Sequence, residues 1–428
     1  MDALAAMPKY DSYKNSGTDW LIEIPEQWEM KKVFYLFTAK KGGDAARLTK
    51  EYCGANEGDF PVYSGQTEND GVMGKINHYE FDYSANGCLF STTVGAKAMT
   101  VKYLKSKFSL SQNCMIIVPR IASGINLKYF YYAFQPMFQF YRNQIPDHMQ
   151  ASFRMEDLYQ YRTLFPSIDE QTAITNFLDK KIAQTDEAIA IKEKQIILLK
   201  ERKQIIIQKA VTEGLNHNVM MKDSGDEWIG YIPEHWTVKK AKYLFDEADE
   251  RSVTGEEELL SVSHMTGVTP RSEKNVSMFM AEDYSGSKLC QKNDLVMNIM
   301  WAWMGALGVS DRIGIVSPSY GIYRQKRENT FNPIYLEYLL KTTKYIEYYN
   351  KVSTGLHSSR LRFYGHMFFA MKIGFPDYEE QNSIVRYLEE QTSRIDQAVA
   401  VQDSQIEKLK EYKTTLINNA VTGKIKLA

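Results

Sequence analysis

The side chains best suited to binding chemistry in this 428-residue chain lie in a stretch that contains no acid. From Ser84 to Pro146 five lysines and two arginines sum to a charge of +7, although the formal net charge of the whole chain is −1. Lysine and arginine bind phosphate oxygens, and neighbouring amides and hydroxyls bond to base edges. These residue types predict a nucleic-acid contact, for which the candidates are Lys97, Lys102, Lys105, Lys107, Gln112, Asn113 and Arg120.

A comparable set of side chains occurs in the second half of the chain. It mixes arginine with histidine, serine and tyrosine, a combination that can also anchor phosphates and reach base edges. The candidates are His264, Arg271, Ser319, Tyr320, Arg324, His357, Arg360 and Arg362. For any single member of either set, the competing interpretation is an ordinary polar side chain on a solvated surface.

Motifs that would indicate catalysis are absent or incomplete. No Gly-x-x-x-x-Gly-Lys-Ser/Thr loop occurs, which excludes a P-loop ATP motor. The NPIY sequence at residues 332–335 resembles the Asn-Pro-Pro-Tyr loop of adenine-N6 methyltransferases, but it lacks the second proline, and a proline in the first turn of a helix explains it. Glu201 and Lys203, like Glu411 and Lys413, match half of a nuclease signature. On a helix their spacing points the two side chains apart, so we interpret them as solvated faces.

Metal ligands and membrane segments are not expected either. The seven histidines show no pair at metal-ligand spacing, and the four cysteines show no Cys-x-x-Cys pair, as suits a reducing cytoplasm. An acid at position 2 and the lack of an apolar segment behind it argue against a secretory signal. The most apolar run, Leu295 to Val309, contains Asn298 and is shorter than the roughly 20 residues that span a bilayer. We interpret it as buried sheet or pocket lining.

The elements that must position the candidate side chains occur twice. TDWLIEIPEQW at residues 18–28 is answered by DEWIGYIPEHW at residues 226–236, with four of the six tryptophans of the chain in matching places at an offset of 208. The segment that begins with FPSIDEQ at residue 165 is answered by FPDYEEQ at residue 375, at an offset of 210 that holds without a gap as far as Thr212. The repeat predicts a globular part followed by a helical part, each present twice.

Each helical part has the signals of one long helix. Asp169 and Glu170 follow Pro166 where acids favour a helix start, and Gly214 and Gly423 stand where the two helices should stop. About 41 residues at 1.5 Å each give a rod of roughly 60 Å. Apolar residues at heptad spacing form a narrow seam that needs a partner helix, most simply the other copy. The seam residues are Ile182, Ile189, Ile196, Leu199, Ile206, Val399, Ile406, Leu409 and Leu416.

The globular parts are predicted to share one mixed α and β fold. CMIIV at 114–118 and GIVS at 314–317 are typical of strands, whereas residues 126–141 and 332–350 are typical of aromatic-rich helices. A further alignment, at an offset of 206, matches residues 87–90 with 293–296 and 109–117 with 315–323. Between these blocks, residues 91–107 and 297–313 have equal length and unrelated chemistry. One scaffold is therefore expected to present two different surfaces.

The paired IPE(Q/H)W motifs, the paired FP-x-x-(D/E)EQ motifs and the QKAVTEG and NNAVTGK endings, in this order, resemble the specificity subunits of type I restriction-modification enzymes over essentially the whole chain. The resemblance implies an α+β protein with two similar mixed α/β target recognition domains separated by two long helices packed as an antiparallel coiled coil. It divides the chain into an N-terminal segment, two recognition domains and two helical spacers, at residues 1–17, 18–165, 166–214, 215–375 and 376–428.

The resemblance also implies a function. Each recognition domain would read one half of a bipartite, gapped site in double-stranded DNA, and the helices would set the gap and dock two methyltransferase (M) subunits. Restriction (R) subunits would join this core in the cytoplasm. The chain itself would then hold no cofactor, because S-adenosylmethionine, ATP and magnesium belong to the partner subunits.

Two alternatives remain open from the sequence: a coiled-coil adaptor that binds only proteins, and a diverged DNA methyltransferase or nuclease. Residues 1–16 also depart from the repeat, because only a short MKDSG stretch at 221–225 faces YKNSG at 13–17. Whether this segment packs on the second long helix cannot be read from the sequence.

Overall fold

In a computed structural model of the chain, residues 7–66, 68–95, 97–146, 148–274, 283–355 and 361–427 are described. The chain folds into two compact units. Unit 1 combines Met1–Glu193 with Asp403–Ala428, and unit 2 comprises Lys194–Gln402. Among the described residues, none of the helices combines the length and the apolarity needed to cross a bilayer.

Unit 1 is built around strands that are antiparallel except for one parallel pair, in which Ser109 lies opposite Val62, and helices pack on these strands. Its strands are β1 (Tyr13–Thr18), β2 (Leu21–Pro25), β3 (Glu29–Lys32), β4 (Phe37–Lys40), β5 (Glu57–Tyr63), β6 (Val72–Ile76), β7 (Phe81–Asp82), β8 (Cys88–Thr92), β9 (Val101–Leu104), β10 (Lys107–Leu110), β11 (Cys114–Pro119) and β12 (Arg162–Phe165). Its helices are α1 (Val33–Leu36), α2 (Lys50–Ala55), α3 (Leu127–Asn143), α4 (Met155–Gln160) and the first part of α5 (Ile168–Glu213).

Unit 2 repeats much of this order. Its strands are β13 (Met221–Asp223), β14 (Tyr231–Pro233), β15 (Thr237–Lys240), β16 (Phe245–Glu247), β17 (Leu260–Ser263), β18 (Gly267–Pro270), β19 (Lys288–Cys290), β20 (Leu295–Asn298), β21 (Leu307–Val309), β22 (Gly314–Val316), β23 (Tyr320–Gln325) and β24 (Lys372–Phe375). Its helices are α6 (Pro333–Leu340), α7 (Thr343–Val352), α8 (Gly365–Ala370) and the first part of α9 (Tyr378–Val421).

The central sheets of the two units have the same topology and register. Their strand orders are β4-β11-β8-β9 and β16-β23-β20-β21. Ser91 pairs with Met115 in unit 1, and Met297 pairs with Gly321 in unit 2, so both partners move by 206 (297 − 91 and 321 − 115). This confirms the prediction that the two globular parts share one fold. The surrounding strands differ, since unit 1 adds the sheet β6-β5-β10-β7 and unit 2 adds the pairs β17-β18 and β19-β22.

Aromatic side chains fill both cores. In unit 1, α3 packs Phe130 against Phe37 with ring centroids 4.9 Å apart. In unit 2, Tyr323 stacks on Phe368 at 4.0 Å. Residues 332–350 were predicted to be one helix, and this was wrong, because the chain breaks between α6 and α7 at Thr342. The backbone of Thr342 is extended there, and its hydroxyl donates to the carbonyl of Leu339, an alternative to helix that threonine favours.

Within each unit the first part of one long helix packs antiparallel against the last part of the other, as predicted. In unit 1 the ammonium of Lys413 on α9 lies 2.7 Å from the carboxylate of Asp186 on α5. In unit 2 Lys203 on α5 lies 2.7 Å from Asp396 on α9. Both partners of the second pair are 210 residues from their counterparts in the first (396 − 186 and 413 − 203). The same ion pair is therefore made twice, with the helices exchanged.

The predicted seam residues lie on the inner faces of these helix pairs. Ile196, Ile406 and Leu416 are buried, and the other six are half-buried. The seam also includes two buried threonines, Thr185 and Thr392.

The sequence left open where the N-terminal segment packs, and the structure shows this for residues 7–17. The amide of Lys426 donates to the carbonyl of Pro8 at 2.7 Å, and the Tyr13 hydroxyl donates to the carbonyl of Gly423 at 3.0 Å. The segment therefore packs on the end of α9 in unit 1. In unit 2 the continuous chain after α5 fills the same place, since the bond from Glu234 to Met220 repeats the bond from Glu26 to Ser12 at an offset of 208.

Candidate nucleic-acid interface

One end of the central sheet of unit 1 gathers three of the predicted side chains. Cys114 pairs with Thr92, so the start of β11 lies beside the turn between β8 and β9. Gln112 and Asn113 precede β11, Lys97 lies in the turn, and all three are exposed. Asn113 has a left-handed backbone (φ 64°), which brings its carbonyl 2.8 Å from the Thr93 amide. We call the described residues at 93–100, with Gln112 and Asn113, the turn end of unit 1.

The remaining basic candidates of unit 1 lie elsewhere. Lys105 follows β9 and Arg120 follows β11, both at the opposite end of the sheet. Lys102 lies along β9, 3.6 Å from the carboxylate of Asp70. Lys107 lies 3.7 Å from Asp82 and 4.7 Å from the centre of the Tyr79 ring, and its bond to Tyr79 is the main cause that raises its pKa. The acid-free stretch therefore does not form one continuous basic surface, because the fold distributes it over two ends and brings in acids from outside it.

Arg120 is held by the protein itself. Its Nε donates to the carbonyls of Phe34 at 2.7 Å and Phe37 at 3.0 Å, and its guanidinium lies 4.8 Å from the centre of the Phe34 ring. These contacts fasten the loop after β11 to α1. The Arg120 side chain is therefore used within the protein and is not a candidate phosphate ligand.

The end of the sheet that holds Arg120 is also where the long helix begins. Gln171 on α5 donates through Nε2 to the carbonyl of Gly124 at 3.1 Å and accepts the amide of Asn126 at 2.8 Å. In unit 2 Gln381 on α9 makes the equivalent bonds to Thr330 at 3.0 Å and Asn332 at 2.9 Å. In each unit the helix start therefore occupies one end of the central sheet, and the turn end lies at the other.

The turn end of unit 2 consists of residues 299–306, between β20 and β21, with Ser319 and Tyr320. The side-chain amide of Asn298 donates to the Tyr320 hydroxyl at 3.1 Å, which leaves the hydroxyl proton available to a ligand. The amide of Phe363 bonds to the carbonyl of Ile299 at 2.9 Å and so brings the neighbouring Arg362 to this end. Ser319 is exposed, and its hydroxyl lies 2.9 Å from that of Ser317.

Arg271 brings positive charge close to Tyr320, and Lys274 lies beside Arg271, whose carbonyl accepts the Lys274 amide at 3.0 Å. Burial raises the pKa of Tyr320, and the nearby charge of Arg271 opposes that rise. Burial and the Arg271 charge together lower the pKa of Lys274, whose ammonium donates to the Ser261 hydroxyl at 3.0 Å. Sequence reasoning selected Arg271 and Tyr320 but missed Lys274 and Asn298.

Arg324 lies at the far end of β23 and is fully engaged. It donates two bonds of 2.9 Å to Asp294, whose side chain is 1% exposed, and one of 2.7 Å to Glu250. These bonds to the two carboxylates raise the pKa of the guanidinium further. A bidentate pair with a buried carboxylate has a structural role. Arg324 is therefore not a candidate DNA ligand.

The other predicted residues of unit 2 are more dispersed. His264 is exposed in the turn between β17 and β18. His357 and Arg360 lie outside the described residues. The NPIY sequence forms the start of α6, where the side chain of Asn332 accepts the amides of Ile334 and Tyr335, as expected for a cap before a first-turn proline.

The two turn ends are equivalent by backbone and different by side chain. Asn113 corresponds to Ser319 at the offset of 206, and the bond from Phe153 to Thr93 (2.7 Å) corresponds to the bond from Phe363 to Ile299 (2.9 Å). The signal that could have found the missed Asn298 was present in the sequence, because it lies within the segment of unlike chemistry at 297–313.

Comparison with known proteins agrees with this architecture. Residues 25–200 match the family model described as type I restriction modification DNA specificity domain. S.MpnORF285P of Mycoplasma pneumoniae, named as a type I specificity subunit, is 31% identical over 134 residues, which are 31% of this chain and 41% of that protein. The specificity subunit of the type I restriction enzyme MpnII, from the same organism, is 39% identical over 70 residues, which are 16% of this chain and 20% of the relative. The matches thus span less than half of either relative.

Solved structures share the fold over nearly the full length. A chain solved in work on complex assembly and conformational transition of the type I R-M system superposes with a TM-score of 0.67 at 12% identity, covering 94% of this chain and 99% of that one. The HsdS subunit from Thermoanaerobacter tengcongensis gives a TM-score of 0.50 at 13% identity, covering 94% and 98%.

The fold is thus that of a duplicated, two-unit protein with paired long helices. Residues 25–200 also match the family model, so the chain is similar to type I restriction-modification specificity subunits in this region and shares the fold of the solved chain over nearly its whole length.

Proposed function

We propose that this chain is the DNA-recognition subunit of a type I restriction-modification assembly, in which each unit reads one half of a bipartite, gapped site. The observation that carries the proposal is the pair of turn ends. Sheets of the same order and register present Lys97, Gln112 and Asn113 in one unit and Ser319, Tyr320 and Arg362 in the other. A constant scaffold with different polar surfaces suits the recognition of two different base sequences.

The role we propose for the chain itself is non-catalytic. Two methyltransferase subunits would dock on the paired helices and supply adenine methylation with S-adenosylmethionine, and restriction subunits would supply ATP- and magnesium-dependent translocation and cleavage. The long helices support this proposal, because they expose large apolar side chains such as Ile197, Leu198 and Ile205, as expected of a surface that a partner covers. The assembly would act in the cytoplasm.

The test is reconstitution. The purified chain, the methyltransferase subunit encoded with it and the complex of both are incubated with genomic DNA and S-adenosylmethionine, and methylated adenines are mapped at base resolution. We expect methylation at a single gapped, bipartite sequence by the complex and none by the chain alone. Methylation by the chain alone would show a diverged enzyme. A complex whose DNA binding and methylation do not depend on this chain would show a protein adaptor.

A further inference from the structure

The turn between β20 and β21 in unit 2 exposes a large aromatic surface. Trp301 is 45% exposed and Met304 is 38% exposed, although both residue types usually bury most of their surface. The equivalent turn of unit 1, at residues 93–100, has the same length but contains no aromatic residue, and it carries the exposed Lys97. The two turn ends therefore differ in aromatic content and in charge as well as in hydrogen-bonding groups.

The exposed tryptophan is held in place by its own turn. The Trp301 amide donates to the carbonyl of Asn298 at 3.0 Å, and the Trp301 carbonyl accepts the amides of Met304 at 2.9 Å and Ala306 at 3.1 Å. Its ring stacks on Trp303 with centroids 5.8 Å apart and an interplanar angle of 29°. Such a ring loses little conformational freedom when it binds a flat ligand.

Trp303 in turn is fixed to the body of the unit. Its indole Nε1 donates to the carbonyl of Met300 at 3.0 Å, and its carbonyl accepts the side-chain amide of Asn350 on α7 at 2.7 Å. Gly305 closes the turn with a left-handed backbone (φ 80°), where an added Cβ would lie only 3.2 Å from Ile346. The aromatic pair therefore stands on a rigid support.

Polar groups of Asn298 and Tyr320 lie beside the turn that carries this ring. The Asn298 carbonyl accepts the Trp301 amide, and the Asn298 side-chain amide donates to the Tyr320 hydroxyl. The charge of Arg271 acts on Tyr320, and Lys274 lies beside Arg271, with its amide 3.0 Å from the Arg271 carbonyl. A flat aromatic face beside cations and hydrogen-bonding groups complements a nucleotide, which offers a base face and an anionic phosphate. A site that bound only an apolar surface of a protein partner would not require these positive charges.

We propose that Trp301 stacks on a base of the half-site read by unit 2 and acts as a wedge that unstacks one base step. Arg271 and Lys274 would hold the neighbouring phosphate. Unit 2 would thus read its half-site partly through DNA deformability, with a preference for a pyrimidine–purine step at the wedge, because such steps unstack most easily. This inference rests on the proposed function. It assigns a role in specificity to a residue that contacts DNA by stacking and not by hydrogen bonds.

The test uses the complex with the methyltransferase subunit and duplexes that carry its mapped site. 2-Aminopurine is placed at successive positions of each half-site other than the methylated adenine, because its fluorescence rises when it is unstacked and the methyltransferase flips its own target base. With the unaltered complex we expect a rise at one step of the unit 2 half-site. Trp301→Ala should abolish the rise and weaken binding by about tenfold or more, the effect of losing one stacked base. Trp301→Phe should keep most of both.

A matched control removes comparable exposed apolar surface elsewhere in unit 2. Ile313 is 56% exposed in the loop before β22, and Ile313→Ala should leave affinity and fluorescence unchanged. The dependence of binding on salt should be the same for Trp301→Ala and the unaltered complex, because stacking releases no counterions.

Three results would overturn the wedge. The first is a Trp301→Ala complex that binds and methylates normally with the fluorescence rise intact. The second is a Trp301→Ala chain that loses the methyltransferase subunit but binds DNA as before, which would assign the ring to a protein contact. The third, no site-specific binding by the unaltered complex, would refute the proposed function as well, and so it is distinct from the first two.

Discussion

The two ends of the central sheet in each unit differ in how their polar groups are used. At the helix-bearing end, both arginines bind groups of the protein itself. Arg120 donates to backbone carbonyls, and Arg324 donates to carboxylates. At the turn end, Lys97 and Ser319 are exposed. A basic residue in the sequence therefore indicates a ligand contact only where the fold leaves its charge without internal partners.

Comparison of the two units adds a second distinction. Their helix-bearing ends are chemically alike: Glu170 accepts the indole N–H of Trp28 at 3.0 Å, and Glu380 accepts that of Trp236 at 3.2 Å. Their turn ends, by contrast, carry Lys97 in one unit and Trp301 in the other. The two units therefore share the residues that build the helix start and differ in the residues that would contact a ligand.

The largest expected effect distinguishes the helix-bearing end of unit 2 from its turn end. Arg324→Ala leaves the buried Asp294 without its counter-charge, and we expect a loss of about 3 kcal/mol in the free energy of unfolding of unit 2, the low end of the range for such pairs because Arg324 is partly exposed. Denaturant unfolding measures the loss. Arg271→Ala, the control, should leave stability nearly unchanged and weaken DNA binding. The reverse pattern would exchange the roles of the two ends.

A second prediction concerns the gap between half-sites. Four residues are inserted in both helices at one level, after Ala190 on α5 and after Lys408 on α9, so that the pairs Lys413–Asp186 and Lys203–Asp396 keep their register. The insertion adds roughly 6 Å at 1.5 Å per residue, which is a little under two base pairs at about 3.4 Å each. Mapping of methylated sites should show both half-sites unchanged and the gap longer by one or two base pairs. Altered half-sites with the old gap would rule out a spacer role.

A third prediction compares the two ends of unit 1 by salt dependence. Lys97→Ala should lower the slope of log affinity against log salt by about 0.9, the value for one lost phosphate contact. Lys105→Ala, at the helix-bearing end, should leave the slope unchanged, because we place the DNA at the turn end. Binding titrations over a range of salt concentrations measure both slopes. A larger change for Lys105→Ala would move the interface to the other end of the sheet.

The smallest expected effect tests the equivalence of the two helix pairs. Lys203→Ala and Lys413→Ala each remove one partly exposed ion pair, so each should cost about 0.5 kcal/mol or less. Chemical unfolding of the two variants side by side checks that the losses are equal. A loss above 2 kcal/mol for only one of them would show that the repeated pairs have different roles.

Much of the fold could be predicted from the sequence because its signals are local or repeated. The acids at 169–170, the glycines at 214 and 423 and the heptad apolar residues define the two long helices, which the structure has at Ile168–Glu213 and Tyr378–Val421. The repeat offsets indicated one fold used twice. Thr342 was missed because its side chain competes with the helix only through a single local bond.

The candidate site depended on tertiary structure. Lys97 and Lys105 are eight residues apart in a stretch that the sequence presents as one basic surface, yet the β8–β9 hairpin directs them to opposite ends of the sheet. Trp301 looked like part of a buried run, because composition does not reveal which residues of an apolar segment stand in a turn. The sequence by itself determined the repeat, the helices and the inventory of charges. Only the tertiary structure decided which charges find internal partners, since Asp294 meets Arg324 through strand pairing across 30 residues of chain, a contact that no local pattern encodes.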